Sequence, residues 1–390
     1  MTKLAAGLVL ALGASSAIAQ QPLKIGLIMT YTGQFADAAT QMDNGIKLYV
    51  QEHGDTVAGR KLEFVRRDTA GVPDNAKRHA QELVVRDKVD ILAGFVITPE
   101  ALSAADVSAE ARRFMVVMNA ATSIITTKSP YLVRTSVTVP QINEAMGAWA
   151  AKKARIKKAY TMVSDYGPGI DAEGAFQRGF KEAGGGLVGS VRMPLANPDF
   201  FPFLQRAKDL NPEAIYVFIP GGAQPAAFGK ALVELGIDTK KTRILGQGEI
   251  TEENARKVMG DAALGLVTAF HYDANHQSAA NGKFVGAYKV AFGRNPDYFS
   301  VGGWDGMHVV YEALKKTGGN ADGEALAGAA KGMKWESPRG PISIDPETRD
   351  IIQTVYIRRV EKVAGQLLNV EIDKIENVKD PVKARMKNPG

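Results

Sequence analysis

The sequence predicts an α/β protein of two doubly wound parallel-sheet lobes joined by a three-strand hinge. Three observations carry this expectation. Short apolar runs alternate with longer amphipathic ones from about residue 22 onward, the pattern of strands and covering helices. The alternation restarts at Pro140, so the build is present twice, over about 22–139 and 140–267. A tail past residue 270 is helix-rich first and β-rich last, unsuited to a third domain, so it is expected to complete both lobes. The 390 residues, 45% hydrophobic and 23% charged, suffice for two cores and exclude a disordered or fibrous chain.

The elements follow in order. Residues 1–19 read as a secretory signal, with Lys3, an apolar run from Leu4 to Leu12, and Ala17-Ile18-Ala19 before Gln20. That run is too short to span a bilayer, and no later stretch is long enough, so an exported, soluble, periplasmic protein is expected. Leu23–Met29 reads as a buried strand and Phe35–His53 as a helix with Ala38, Met42 and Ile46 on one face. Strands are expected at 62–68, 90–94, 115–118 and 131–135, with helices at 73–87 and 99–113 between them. In the second run, helices are expected at 141–154, 170–183, 200–210 and 223–235. Its strands fall at 159–164, 187–193, 214–219, 243–246 and 265–270. Three helices at about 278–292, 300–317 and 323–332 precede a hairpin of 354–360 with 366–372, turned at Val363-Ala364-Gly365. The first lobe is therefore 20–139 with 272–340, and the second 140–271 with 341–390. The crossings fall at Thr138–Ile142, Thr268–Tyr272 and Gly340–Pro346, with the ligand cleft between the lobes.

Composition removes much chemistry. Zero cysteine excludes disulfides, thiolate metal sites, iron–sulfur clusters and a cysteine nucleophile. The formal charge of +6 is small for this length, and no basic run with interleaved aromatics points to nucleic acid. There is no phosphate loop, no H-E-x-x-H and no G-x-S-x-G elbow. His271, Asp273 and His276 form the only His/Asp cluster, which reads as a polar loop unless the side chains converge on a metal. Gly167-Pro168-Gly169-Ile170-Asp171-Ala172 imitates a dinucleotide fingerprint, but the next strand ends in Arg192-Met193-Pro194 and lacks the acid that would hold a ribose. No cofactor and no enzymatic activity are expected.

What remains is a set of small polar loops at the carboxyl ends of strands, where open α/β sheets bind ligands. Three belong to the first run: 30–33, 95–99 and 119–123. Three belong to the second: 165–169, 220–223 and 246–249. Hydroxyls beside helix N-termini make an anion site without a metal or an arginine, and Thr98, Thr122 and Ser123 suit a carboxylate. Each hydroxyl alone serves equally as a helix cap; their joint placement favours binding.

The segments Lys24-Ile25-Gly26-Leu27, Thr32-Gly33, Gly45-Ile46-Lys47-Leu48, Gly59-Arg60-Lys61-Leu62, Asp68-Thr69, Asn119-Ala120-Ala121-Thr122, Tyr166-Gly167 with Gly169, and Gly340-Pro341-Ile342 keep a distinctive order and spacing. In these the chain resembles the periplasmic solute-binding proteins of ABC importers, of the leucine/isoleucine/valine-binding type, over nearly all of its length. The resemblance implies the type I periplasmic binding fold and a carboxylate clamp at Thr98, Ala120, Ala121 and Thr122. It also implies a tyrosine reaching across from the second lobe, here Tyr166, and an acid for an amino group near 246–249, with Glu249 the candidate. An aromatic at Tyr298 or Phe299 would line the side-chain pocket.

Where amino-acid binders commonly carry a tyrosine after the Gly-Gly turn, this chain has Ala223, which implies a larger cavity. Phe95 lies in a predicted site loop, and Tyr31, Phe35, Tyr272 and Trp304 lie near such loops, although Phe35 and Trp304 equally suit helix cores. Relatives of this type include binders of aromatic acids such as benzoates and phenylpropenoates, so an aromatic acid and a branched or aromatic amino acid both remain open. The expected function is capture of a small carboxylate by lobe closure and delivery to a membrane permease, by a monomer. The alternatives are a ligand-sensing subunit of a receptor or regulator and, further off, a nucleotide-cofactor enzyme.

Overall fold

The computed structural model describes residues 21–387; the secretory signal expected at 1–19 lies outside them. The first sheet contains β1 (Leu23–Met29), β2 (Thr56–Val57), β3 (Arg60–Asp68), β4 (Ile91–Gly94), β5 (Phe114–Val117) and β6 (Leu132–Arg134), in the order β2-β3-β1-β4-β5-β6. Every pairing is parallel except the β2–β3 hairpin. Between these strands run α1 (Ala36–His53), α2 (Pro73–Val85) and α3 (Thr98–Ala111).

Period-two alternation builds both faces of this sheet. Ile91 and Ala93 of β4, with Phe114 and Val116 of β5, join the core under α1. Leu92, Met115 and Val117 turn the other way, into the core under α2 and α3.

The second unit contains α4 (Val139–Lys152), α5 (Gly167–Glu182), α6 (Phe201–Asp209), α7 (Gln224–Glu234) and α8 (Glu253–Met259). Its parallel strands are β7 (Lys158–Ser164), β8 (Gly186–Met193), β9 (Ala214–Phe218), β10 (Arg243–Gln247) and β11 (Val267–Phe270). Here too the faces alternate: Ala214, Tyr216 and Phe218 face one core, Ile215 and Val217 the other.

The tail supplies α9 (Ala279–Phe292), α10 (Tyr298–Lys316) and α11 (Gly323–Ala330), which bury Tyr288, Val310, Leu314 and Leu326 in the first unit. It then forms β12 (Lys334–Ser337), β13 (Gly340–Ile344), β14 (Ile351–Val363), β15 (Gln366–Val378) and α12 (Pro381–Lys387). These strands extend the second sheet to nine, in the order β12-β13-β14-β11-β10-β9-β7-β8, with β15 paired to β14.

The expected hairpin is longer than its sequence signal and turns at Ala364-Gly365, both with positive φ. Strands β2, β12 and β13, helices α8 and α12, and the 3₁₀ turns at Gly248–Thr251 and Gly260–Ala263 carried no clear periodicity in the sequence.

The chain passes between the units at 135–138, at 271–278 and within β14. The third passage lies later than the expected Gly340–Pro346. Ile342, Ile344 and Ile351 pack in the first core, and Val355 and Ile357 in the second. Buried polar side chains tie the first and third of these passages together. Arg339 donates to the Thr135 and Ser136 carbonyls and to Gln353 Oε1, and pairs with Asp305 at 2.8 Å. Gln141 Nε2 donates to the carbonyls of Ile351 at 2.7 Å and Val378 at 2.9 Å.

Candidate functional site

The carboxyl ends of β4, β5, β7, β9 and β10 converge on one cleft between the sheets, holding about 490 Å³ of empty space, part of it open to solvent. Its wall is largely apolar, with Phe35, Val96, Ile97, Phe218, Pro220 and Phe299. Thr98, Asn119, Tyr166, Gln247, Glu249 and Tyr298 interrupt it, and no lysine or arginine lines it.

One end is built from the starts of α3 and of the loop after β5. Phe95 occupies φ 70°, a costly conformation for a bulky residue, held because its ring is fully buried beneath α2 and α3. The resulting turn aims Val96, Ile97 and Thr98 at the cleft. Thr98 Oγ1 donates to Thr122 Oγ1 at 3.2 Å. The loop carrying Thr122 is fixed from behind by Arg134, fully buried, whose Nη1 donates to the carbonyls of Ala120 at 3.3 Å and Thr122 at 2.7 Å. Asp350 and then Lys383 complete that buried cluster. With the loop carbonyls turned back toward Arg134, the cleft-facing side is left to hydroxyls and N–H groups. Helices α3 and α5 begin at the cleft with no side-chain cap, so their positive ends lie at it.

The opposite end comes from β9 and β10. Tyr216 donates to Asn143 Oδ1 at 2.5 Å, Asn143 Nδ2 to Gln247 Oε1 at 2.6 Å, and Gln247 Nε2 to Glu249 Oε1 at 2.8 Å. Glu249 Oε2 is buried without a hydrogen-bond partner. Burial pushes the Glu249 carboxyl up to about 7, against the pull of its hydrogen bonds and of Arg358. Burial likewise holds Glu252 well above its ordinary value, with Asp297 and Glu249 adding to the rise. It raises the Tyr166 phenol too, assisted by Glu249.

The cleft is closed. A Cβ placed on Gly167 of the second lobe would lie 3.1 Å from Thr122 Oγ1 and 3.8 Å from Thr98 of the first. A Cβ on Gly221 would overlap the Tyr298 hydroxyl, and one on Gly222 would lie 2.8 Å from the Gln34 carbonyl. The Ser123 N–H donates across the gap to Asp171 at 2.9 Å.

Of the residues singled out in the sequence, Phe35, Thr98, Ala120, Ala121, Tyr166, Glu249 and Phe299 line the cleft, and Tyr298 does so beside Phe299. Others lie elsewhere. Phe95 turns its ring into the core. Thr122 stands behind Thr98 rather than in the wall. Tyr31 packs on the first core, its ring beside Arg66. Tyr272 is core, with its hydroxyl on Asn281 at 3.0 Å. Ala223 is exposed, so the exchange of a tyrosine for alanine there does not enlarge the cavity; Pro220 and Gly221 of the same loop form the wall. Trp304 packs against Tyr49 and Phe284, away from the cleft.

Phe218, Val137 and Val139 escaped the sequence reading because they look like ordinary strand and helix-start residues. Arg134 escaped it too, although one charge ending the apolar run Leu132-Val133 was a signal, since a buried guanidinium must have partners. Among the described residues no cluster of His, Asp or Glu could hold a metal. In the histidine loop, Asp273 is taken by Arg358 at 3.2 Å and Asn369 at 2.6 Å, and His276 by Glu371 at 2.8 Å. The glycines of the dinucleotide-like pattern have packing reasons: Gly167 faces Thr122, and a Cβ on Gly169 would overlap the Ser164 carbonyl.

Comparison with known proteins follows from this geometry. A family model described as periplasmic binding protein matches residues 22–366. The chain is 43% identical over 378 residues to a Leu/Ile/Val-binding protein homolog 6 of Brucella melitensis, covering 96% of each. It is similar to a solute binding protein of an ABC transporter from Rhodopseudomonas palustris BisB5, solved in complex with 3,4-dihydroxy benzoic acid. That match has 55% identity and a TM-score of 0.90, and covers 93% of this chain and 99% of the other. A second, from Rhodopseudomonas palustris HaA2 and in complex with p-hydroxybenzoic acid, is 41% identical with a TM-score of 0.90, covering 93% and 100%.

Proposed function

Since the chain belongs to the periplasmic binding protein family, we propose that it captures an aromatic carboxylate by closing its two lobes and delivers it to the permease of an ABC importer. The observation that carries this reading is the asymmetry of the cleft. A hydroxyl pair at the uncapped start of α3 meets, with no lysine or arginine in the wall, the aromatic rings of Phe35, Phe218 and Phe299. A carboxylate suits the Thr98 end, where helix dipoles favour an anion, and a flat ring suits the aromatic wall. Neighbours solved with hydroxylated benzoic acids support the same class.

Closure excludes water, which strengthens each polar contact, and the closed outline is what a permease would recognise. No described helix is long and apolar enough to cross a membrane. The signal-like residues 1–19 support reading the protein as exported, and the family supports a binding role.

A second reading, a branched-chain amino acid, is favoured by Glu249 in the wall, which could meet an ammonium group, and by the naming of the Brucella relative. Isothermal titration of the purified protein with benzoate, 4-hydroxybenzoate, leucine and isoleucine separates the two. Binding of the aromatic acids alone is expected; binding of the amino acids alone overturns the proposal. A pull-down with permease subunits against receptor or regulator subunits tests the sensor alternative.

A further inference from the structure

Resting on the reading of the cleft as an aromatic-carboxylate site, we infer that Glu249 is its specificity-determining residue and that its Oε2 reads a hydroxyl on the ligand's ring. The hydrogen-bond chain behind it fixes this by its direction. Asn143 Nδ2 faces the Val139 carbonyl at 2.8 Å, and a carbonyl only accepts, so the amide is oriented. The same Nδ2 faces Gln247 Oε1, which must therefore accept, so Gln247 Nε2 must donate to Glu249 Oε1. Oε1 is thereby the accepting oxygen of the carboxyl. Any proton on the group resides on Oε2, which is buried with no partner in the protein, on a residue that lines the cleft.

The charged and titratable groups around Glu249 do not neutralise it. Arg358 of β14 is committed to Asp273, Thr268 and the Tyr272 and Gly248 carbonyls. Glu252, from the loop before α8, adds a second acid. Tyr166 of α5, Tyr216 of β9 and Tyr298 of α10 contribute phenols. An acid so placed takes up a proton near neutrality, and an O–H at Oε2 then requires an acceptor. A ring hydroxyl can accept that proton and donate its own elsewhere, whereas an ammonium group would have to meet the deprotonated carboxylate. An unsubstituted ring leaves the O–H unpaired in a buried wall, so benzoate is penalised relative to its hydroxylated derivatives.

The test compares benzoate with 3- and 4-hydroxybenzoate by calorimetry at pH 6 and pH 8.5, on the whole protein and its Glu249→Gln and Glu249→Leu variants. The native protein is expected to prefer at least one hydroxylated acid about tenfold or more. Binding at pH 8.5 should be weaker than at pH 6 and accompanied by proton uptake, read from buffers of different ionisation enthalpy. Glu249→Gln should abolish the uptake while keeping a preference for the hydroxylated acid. Glu249→Leu should bring the ratio near one, with melting curves of the free variants confirming that both fold. A hydroxyl preference unchanged in Glu249→Leu, or proton uptake unchanged in Glu249→Gln, overturns the role of Glu249 and leaves the aromatic-acid reading intact. Failure of the native protein to bind any of the three acids overturns that reading and the inference with it.

Discussion

Thr98 is the single residue on which the proposed anion end depends. Its hydroxyl is buried, hydrogen-bonded only within the loop pair, and part of the cleft wall. A hydrogen bond to a charged group contributes about 1.5–3 kcal/mol, so Thr98→Val is expected to weaken aromatic-acid binding roughly tenfold to a hundredfold in a calorimetric titration. Thr122→Val should cost less, because Thr122 supports Thr98 from behind. Arg134 is a different case. Removing it leaves three loop carbonyls and Asp350 without their buried partner, although Lys383 still holds Asp350. Arg134→Met is expected to lower stability by about 3 kcal/mol in denaturant unfolding, and ligand affinity with it. At this scale the small polar loops at strand ends pointed to Thr98, and the family resemblance pointed to Tyr166 and Glu249. It misplaced Phe95 and Tyr272 because an aromatic beside such a loop can turn either toward the cleft or into the core.

Among the elements, the loop joining β9 to α7 decides whether the lobes can meet. Gly221 has no unusual φ, yet a Cβ there would overlap the Tyr298 hydroxyl of the facing lobe. Gly221→Ala is therefore expected to reduce ligand affinity about tenfold or more with a smaller fall in the melting temperature of the free protein, because the overlap with Tyr298 arises on closure, while Glu252 Oε1 of the same lobe, 3.1 Å away, must give slightly in either state. An equal loss of stability without ligand would assign the glycine to folding instead. Periodicity found the strands and helices of both repeats within a few residues. It missed β2, α8, β12, β13 and α12, which are short; β13 owes its conformation to pairing with β14, and α12 to Asp380 capping it and Lys383 reaching Asp350.

For the whole molecule, closure couples ligand, stability and pH. The first and third passages between the lobes are joined by Arg339, Gln141 and Gln353, so bending there must conserve or exchange those hydrogen bonds. A ligand that binds only the folded chain should raise its stability by about 2.7 kcal/mol at a hundred times its dissociation constant, seen as a higher melting temperature. The buried cleft acid gives the opposite contribution as pH rises. Glu249 is raised from 4.5 to about 7 on folding, so the stability linked to it is complete below about 4.5 and is lost as pH passes through 7. The full cost above pH 7 reaches about 3 kcal/mol. The free protein is thus expected to melt lower at pH 8.5 than at pH 5.5, and Glu249→Gln to reduce that difference, with Glu252 and Asp297, which burial also raises, keeping the rest; an unchanged slope would show that Glu249 does not contribute.

The sequence by itself determined the two-fold α/β build, the loops that line the cleft, and the exclusion of thiol chemistry. Each follows from local signals: apolar period, strand-end composition, and the count of one residue type. Only the tertiary structure decided that Phe95 turns inward, that Arg134 stands behind the carboxylate loop, and that the third passage lies in β14. It alone set the direction of the hydrogen-bond chain ending at Glu249. Those outcomes depend on which side chains from distant segments share one buried space, where an unpaired polar group is costly and only some arrangements satisfy every donor and acceptor.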